Sequence, residues 1–216
     1  MSIELTNIHK RLGDREVLRG VSLSIPSGEV VVILGPNGSG KSTLLKILAG
    51  IWEPDQGQVR IHGSDLSNGG TAARALLGYV PDTSDPLPEL LVSELCSLVS
   101  ALKQAPLPSI AQQQQLGVHS YWHQKMGTLS FGQRKRACLL AALIGNPKLL
   151  ILDEPSNGID PEGIAMIGDV IATQRQRGTA IIVSTNDQPF AASLAGRPLR
   201  ISEGFLIDAT RTPSDS

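Results

Sequence analysis

The sequence predicts an α/β fold with a mostly parallel central sheet. Residues 29–34 read EVVVIL, a nearly continuous β-branched run that is typical of a strand buried on both faces. A glycine-rich turn and the helical stretch KSTLLKILAG follow this run directly. Similar strand patterns recur at residues 57–62, 148–152 and 179–184, with helical segments between them. Because strands that alternate with helices usually form a parallel sheet, we expect these strands to build one central sheet.

The N-terminal residues predict a separate antiparallel β subdomain. Residues 3–25 alternate apolar and polar side chains, and the alternation is interrupted at Gly13 and Asp14. This pattern indicates two antiparallel strands joined by a turn. The chain of 216 residues suits one domain, residues 1–216, that can bury a sizeable core. Residues 210–216 are polar and predict a frayed tail.

The middle of the chain predicts a small inserted helical subdomain. Two helix-like stretches occupy residues 90–103 and 109–116, and Pro106 and Pro108 separate them. The apolar stretch that follows residue 132 is also helical in character. We therefore expect the inserted helical subdomain to extend over about residues 82–145.

Composition and charge exclude several kinds of partner. With 19 Lys and Arg against 20 Asp and Glu, the formal net charge is −1, which predicts no general attraction to nucleic acid or to anionic lipid. No apolar run approaches the roughly 20 residues of a membrane-spanning helix, so direct membrane insertion is not expected. The N-terminus lacks the regions of a signal peptide, which predicts a cytoplasmic protein. Any link to a membrane is then expected to go through another protein.

Residues 35–42 read GPNGSGKS and match the phosphate-loop pattern G-x-x-x-x-G-K-[ST]. The match lies between a predicted strand and a predicted helix, as a phosphate loop requires. The glycines allow backbone N–H groups to surround the phosphates, Lys41 is expected to reach the β and γ phosphates, and Ser42 is expected to bind Mg²⁺. The candidate nucleotide-binding residues here are Gly35, Pro36, Asn37, Gly38, Ser39, Gly40, Lys41, Ser42 and Thr43.

Two carboxylates follow the buried strand at residues 148–152. This placement puts Asp153 at the carboxyl edge of the sheet, where ligands bind in open α/β folds, and predicts that it holds the Mg²⁺ shell. Glu154 is expected to orient or deprotonate the attacking water. A solvated pair of carboxylates at a strand end is the alternative interpretation.

Residues 129–133 read LSFGQ and allow two interpretations. Ser130 and Gln133 have the S-x-x-Q spacing of a capping box that opens a helix. A capped helix N-terminus with Gly132 beside it is also an anion site, at which the Ser130 hydroxyl and backbone donors can meet a phosphate.

The ordered set GPNGSGKS, LSFGQ and LLILDEP resembles the nucleotide-binding domain of ATP-binding cassette (ABC) transporters, from residue 3 to about residue 208. The resemblance implies a P-loop NTPase core, ATP and Mg²⁺ as ligands, and a second ABC subunit, identical or different, packed head to tail. Ser130, Gly132 and Gln133 would then act on the partner's ATP. Residues 156–160, SNGID, match the family's D-loop at Asp160, which also reads as a helix N-cap. Transmembrane permease subunits are the implied partners, at the cytoplasmic face of the membrane.

Three residues depart from the pattern of that family. Leu12 stands where an aromatic residue usually stacks on adenine, so base stacking would become apolar contact. Asp82 stands in place of the usual glutamine, and its carboxylate could bind Mg²⁺ or its water. Asn186 stands in place of the usual histidine; it can donate to a phosphate but cannot carry a proton. These departures predict ATP binding with slow hydrolysis.

The resemblance favours the ATPase of an exporter of the ABC-2 kind. The alternative is a catalytically weak, nucleotide-gated clamp that regulates or assembles a membrane complex, an interpretation that Asp82 and Asn186 support. The transported substance cannot be read from this chain, because in this family the membrane subunits select it.

Overall fold

The computed structural model describes residues 2–66, 70–83 and 87–209. The predicted tail at residues 210–216 lies outside the described residues. The strands are β1 (Ser2–Leu12), β2 (Arg15–Pro26), β3 (Val30–Leu34), β4 (Gln56–Ile61), β5 (Ser64–Asp65), β6 (Leu77–Val80), β7 (Leu149–Asp153), β8 (Ala180–Thr185), β9 (Arg197–Ser202) and β10 (Phe205–Asp208). The helices are α1 (Lys41–Leu48), α2 (Thr71–Ala75), α3 (Val92–Lys103), α4 (Ile110–Gln115), α5 (Phe131–Ala142), α6 (Pro161–Gln176) and α7 (Gln188–Ser193).

The central sheet has the strand order β10-β9-β3-β8-β7-β6. Strands β9, β3, β8, β7 and β6 run parallel, and β10 pairs antiparallel with β9 at the edge. Every residue of β3, β7 and β8 is buried, as their continuous apolar runs predict. The α/β prediction is confirmed, with the addition of β6, β9 and β10, which the sequence patterns did not indicate.

A second sheet has the order β2-β1-β4-β5 and is antiparallel. It confirms the predicted N-terminal β subdomain. The expectation that residues 57–62 join the parallel sheet is wrong, because β4 pairs antiparallel with β1. The reason lies in burial: Val59 and Ile61 of β4 are buried while Arg60 between them is exposed, which suits an antiparallel sheet with one solvated face.

The apolar core lies on both faces of the central sheet. Successive residues of β3 alternate between the two faces: Val30 and Val32 belong to one buried apolar cluster, and Val31 and Ile33 belong to the other. The cluster of Val31 and Ile33 also contains the buried residues of α1 and of the antiparallel sheet. Because apolar side chains pack against both faces of β3, the start of the loop that follows β3 has a fixed position.

The helical part between β6 and β7 contains α3, α4, two 3₁₀ turns (His119–Tyr121 and Met126–Thr128) and α5. Helices α3 and α4 confirm the two predicted helix-like stretches, with shorter bounds. The buried side chains Val92 and Cys96 of α3 join the same apolar cluster as Ala137 of α5. In the described ranges, no helix combines the length and the apolar character that crossing a membrane requires.

Candidate functional site

The carboxyl ends of four parallel strands meet at one edge of the central sheet. The loop at residues 35–40 follows β3, Asp82 follows β6, Glu154 follows β7, and Asn186 follows β8. A cleft of about 520 Å³ opens at this edge. It is lined by Leu12, Arg15, Val17, Asn37, Gly38, Gly40, Lys41, Ser42, Thr43, Asp82, Glu154 and Asn157. In open α/β sheets, this is the edge at which ligands bind.

The loop at residues 35–40 has a backbone shape that favours glycine. Gly38 and Gly40 have φ of 77° and 111°. A Cβ at Gly40 would lie 3.1 Å from Val17 Cγ1, so a larger residue would push the loop away from β2. The Ser39 hydroxyl is buried without a hydrogen-bond partner, which leaves a polar atom in the loop available for a ligand.

Lys41 and Glu154 form a buried ion pair at the floor of the cleft. Lys41 Nζ lies 3.2 Å from Glu154 Oε1, outside hydrogen-bond geometry, and the two side chains are 5% and 7% exposed. The same ammonium donates to the Gly35 carbonyl oxygen at 2.8 Å. A buried charge is rarely stable without a partner. The ammonium of Lys41 and the carboxylate of Glu154 therefore compensate each other when no other charged group occupies the cleft.

Glu154 is held by backbone contacts as well. It has φ of 45°, a left-handed conformation that few non-glycine residues adopt. Its N–H donates to the Ser184 carbonyl oxygen (3.0 Å), and the Asn186 N–H donates to Glu154 Oε2 (3.1 Å). With the backbone held in this conformation, the Glu154 carboxylate lies against Lys41 and lines the cleft.

Ser42 and Asp153 are adjacent, as a shared Mg²⁺ would require. Ser42 Oγ donates to Asp153 Oδ1 at 3.2 Å. The fully buried Ser184 hydroxyl donates to the same oxygen and fixes the carboxylate from the other side. Sequence analysis missed Ser184, because a serine inside an apolar strand carries no motif. Mg²⁺ is commonly held by one carboxylate, a hydroxyl and substrate phosphates, and this donor set fits that chemistry.

The three departures from the family pattern have different places in the structure. Leu12 lines the cleft and is 41% exposed, so it can offer an apolar surface to a base. Asp82 also lines the cleft, and its Oδ1 accepts from Asn157 Nδ2 at 3.4 Å. Asn186 is exposed, and the contact that it makes with Glu154 comes from its backbone.

Lys135 of α5 is a second buried cation beside the cleft, and sequence analysis did not single it out. It is 1% exposed, donates to the Glu154 carbonyl oxygen, and lies 3.9 Å from Asp82 Oδ1. Burial lowers the pKa of Lys135, while the carboxylates of Asp82, Asp153 and Glu154 act in the opposite direction. Its place inside α5 between Arg134 and Arg136 conceals its burial from pattern analysis.

The capping interpretation of residues 129–133 is confirmed. Ser130 is the N-cap of α5: its hydroxyl accepts from the Gln133 N–H, and Gln133 Oε1 accepts from the Ser130 N–H. Asp160 likewise caps α6 by accepting from the Gly163 N–H at 2.7 Å, with Pro161 as the first helical residue. Gly132 lies between Ser130 and Gln133 in the first turn of α5. Both helix starts present backbone donors, which also suits a phosphate ligand.

Comparison with known proteins gives concordant matches. The family model described as "ABC transporter" matches residues 18–157. The glutamate transport ATP-binding protein GluA of Corynebacterium glutamicum is 31% identical, and the alignment covers 98% of this chain and 91% of that protein. The Nod factor export ATP-binding protein I of Burkholderia orbicola is 32% identical, with 95% and 69% covered.

Solved structures of similar fold include nucleotide-bound and dimeric cassettes. The dimeric structure of MJ0796, described as a bacterial ABC transporter cassette, superposes with a TM-score of 0.83 at 26% identity, covering 94% of this chain and 96% of that one. A post-hydrolysis state of the MJ0796 cassette bound to ADP and Pi has a TM-score of 0.82 at the same identity and coverage.

Proposed function

Because this chain belongs to the ATP-binding subunits of ABC transporters, we propose that it hydrolyses Mg-ATP as a head-to-tail pair and thereby drives transmembrane permease subunits. The observation that carries the proposal is the convergence of Lys41, Ser42, Asp153 and Glu154 at one sheet edge. An ordinary pair of solvated carboxylates would not bury Glu154 against a lysine. We place the protein at the cytoplasmic face of the membrane, attached through those permease subunits.

In the proposed reaction, each residue of the cleft has one task. Lys41 exchanges its contact with Glu154 for the β and γ phosphates, and the loop N–H groups surround them. Ser42 and Asp153 would hold Mg²⁺, which would supply neutralising charge on the phosphates. Freed from Lys41, the Glu154 carboxylate orients the attacking water and accepts its proton.

The placement of residues 130–133 supports a pair of chains. The described residues that line the cleft do not include Ser130, Gly132 or Gln133, so a phosphate held by these residues belongs to a second copy or a related cassette. Ser130 is exposed and Gly132 is half-buried, which leaves the start of α5 accessible. Asp160 of the D-loop would meet the partner at the same interface.

The test of this proposal is ATP turnover by the purified protein over a range of protein concentrations. A composite site requires association, so turnover per chain rises with concentration and levels off once the chains are paired. Turnover per chain that is constant across a hundredfold dilution, with the protein monomeric throughout by light scattering, would contradict the paired mechanism. Tight ATP binding with no turnover at any concentration would favour the nucleotide-gated clamp.

The permease contact is proposed at an apolar groove of about 360 Å³ between the helical part and the sheet. Its lining residues are Leu77, Gly78, Tyr79, Pro81, Thr83, Leu95, Val99, Lys103, Cys138, Ala141 and Ala142. The groove adjoins Asp82, so a segment docked there lies next to the nucleotide cleft. Burial lowers the pKa of Lys103 to about 8, and its ammonium donates to the Leu77 and Ile144 carbonyl oxygens at the groove.

Val99→Asp is expected to reduce copurification with a co-expressed permease at least tenfold, because it places a charge on the apolar wall of the groove. Leu102→Asp is the matched control on the same helix, since Leu102 is 75% exposed. ATP affinity should be unchanged in both proteins. Equal copurification of Val99→Asp and wild type would contradict docking at this groove.

We propose export as the direction of transport, a choice that the short helical insertion and the match to Nod factor export proteins support. The name of GluA, a glutamate transport ATP-binding protein, gives no direction, so transport assays must decide between export and import. Export predicts that the reconstituted complex moves its substance out of the compartment that contains this subunit and ATP.

Asn186→His is expected to raise the maximal ATP turnover rate about tenfold or more, because a positioned donor to the γ-phosphate is typically worth roughly 10²-fold. The backbone contact from residue 186 to Glu154 stays in place, so the change isolates the side chain. Steady-state turnover at saturating Mg-ATP is the measurement, with Asn186→Ala as the control. An unchanged rate in Asn186→His would show that this residue does not limit hydrolysis.

A further inference from the structure

Lys135 joins three segments of the protein through one ammonium group. It lies in the second turn of α5, four residues after Phe131, and it is among the largest fully buried side chains. Its Nζ donates to the Glu154 carbonyl oxygen and lies 3.9 Å from Asp82 Oδ1. The start of α5, the loop after β6 and the loop after β7 therefore meet at this side chain.

The charge of Lys135 matters because of its neighbour, Asp82. Its carboxylate lines the same cleft as Lys41 and Glu154, where the triphosphate of the proposed substrate would lie. A carboxylate on that wall repels phosphates, and the Asn157 amide that donates to it carries no charge. Lys135 is on the buried side of Asp82, so it offsets this charge without entering the cleft.

The ring of Phe131 lies beside the Lys135 ammonium. The Lys135 Nζ is 5.2 Å from the centre of the Phe131 ring, within range of a cation–π contact. The ring also abuts residue 158: a Cβ on Gly158 would lie 2.9 Å from Phe131 Cδ1. The aromatic side chain in LSFGQ is thus packed against the loop at residues 156–160 of its own chain.

We propose that Lys135 is a positioning residue for hydrolysis, which offsets Asp82 beside the phosphates and holds the Glu154 backbone to the start of α5. This inference rests on the proposed function, since it assigns Ser130, Gly132 and Gln133 to the partner's ATP and Glu154 to the chain's own. Lys135 thus connects α5, whose start meets the partner's ATP, to the backbone of Glu154, whose carboxylate acts on the ATP of its own chain.

Two substitutions separate the charge of Lys135 from its hydrogen bond. Lys135→Gln removes the charge and keeps a donor for the Glu154 carbonyl oxygen, while Lys135→Met removes both. We expect both variants to raise KM for Mg-ATP about tenfold, because Asp82 is left unopposed. We expect kcat to fall roughly tenfold further in Lys135→Met than in Lys135→Gln, because the Glu154 backbone loses its anchor.

Asp82→Asn supplies the decisive comparison, because it removes the charge that Lys135 offsets. In the double variants, KM is expected to return to within about threefold of Asp82→Asn alone, while the kcat loss of Lys135→Met persists. The same KM increase with and without the Asp82 charge would overturn the proposal, because it would indicate a merely structural lysine. An unchanged kcat in Lys135→Met would overturn the anchoring role.

ATP affinity, measured by calorimetry in the absence of turnover, keeps the two hypotheses distinguishable. Coupling between residues 82 and 135 in affinity supports the charge role even if the wild-type protein hydrolyses no ATP, a result that would contradict the proposed ATPase function. Absence of that coupling in a hydrolysing wild-type protein overturns the charge role alone. Thermal unfolding of each variant identifies losses caused by misfolding. If Lys135→Met does not fold, Lys135→Gln still tests the charge role.

Discussion

Glu154→Gln is expected to lower ATP turnover about 10³-fold while ATP binding is retained, because a positioned general base typically contributes 10²–10⁴-fold. The amide has the size of the carboxylate but cannot accept a proton from water. Its Oε atom can still accept from the Asn186 N–H, so the site keeps its shape. The substitution also removes the charge that holds Lys41, which favours ATP binding.

Steady-state phosphate release and calorimetric ATP affinity measure the two halves of this expectation. Glu162→Gln is a matched control, because Glu162 is an exposed glutamate in the first turn of α6. A loss of less than tenfold in Glu154→Gln would show that another group activates the water, and the assignment of Glu154 would then be wrong.

Lys41→Met is expected to weaken ATP binding by about 10²-fold or more, because the side chain keeps its length and loses the charge that meets the phosphates. The same change leaves the Glu154 carboxylate buried without its cation. Breaking a buried pair on one side costs about 3–5 kcal/mol of unfolding free energy, so the protein should also become less stable.

A double variant separates these two effects. Lys41→Met combined with Glu154→Gln removes the unpaired charge, and it is expected to regain most of the lost stability without regaining ATP affinity. Urea unfolding and calorimetry are the measurements. Lys46→Met, on the same helix but partly exposed beside Trp52, is the control. If Lys41→Met bound ATP with wild-type affinity, the assignment of Lys41 to the phosphates would be wrong.

The elements that the sequence predicted best are those with one dominant local signal. The β-branched runs of β3, β7 and β8 are buried on both faces, so their composition reveals them directly. Ser130 and Asp160 are the N-caps of α5 and α6, and the sequence indicates them by the S-x-x-Q spacing and by the Asp160-Pro161 pair. The phosphate loop is a contiguous motif, and its geometry follows from the glycines within it.

What the sequence could not reveal depends on contacts between distant residues. Strand β6 has only four residues and includes Gly78, which has low strand propensity, and its partner β7 is about seventy residues away. Ser184 acquires its importance from Asp153, which lies 31 positions earlier in the chain. Lys135 appears in an arginine-rich stretch that suggests a solvated face, and tertiary packing places it in the interior.

The departures from the family pattern illustrate the same point. Taken alone, Asp82 predicted a ligand of Mg²⁺ or of its water. The structure places a buried cation 3.9 Å from it, so the two positions form a pair that neither local sequence discloses. A role for Asp82 in binding Mg²⁺ stays a prediction, as do the contact of Leu12 with a base and the phosphate contact of Asn186.

The most direct test of the head-to-tail pair is complementation between two inactive chains. Lys41→Met disables the phosphate loop, and Ser130→Asp disables the start of α5 toward phosphate while keeping a residue that caps helices well. In a mixed pair, one site carries both defects and the other carries none. We predict that an equal mixture recovers roughly a quarter of wild-type turnover, since half of the pairs are mixed and each has one intact site. Turnover in the mixture no higher than the mean of the separate proteins would contradict the composite site.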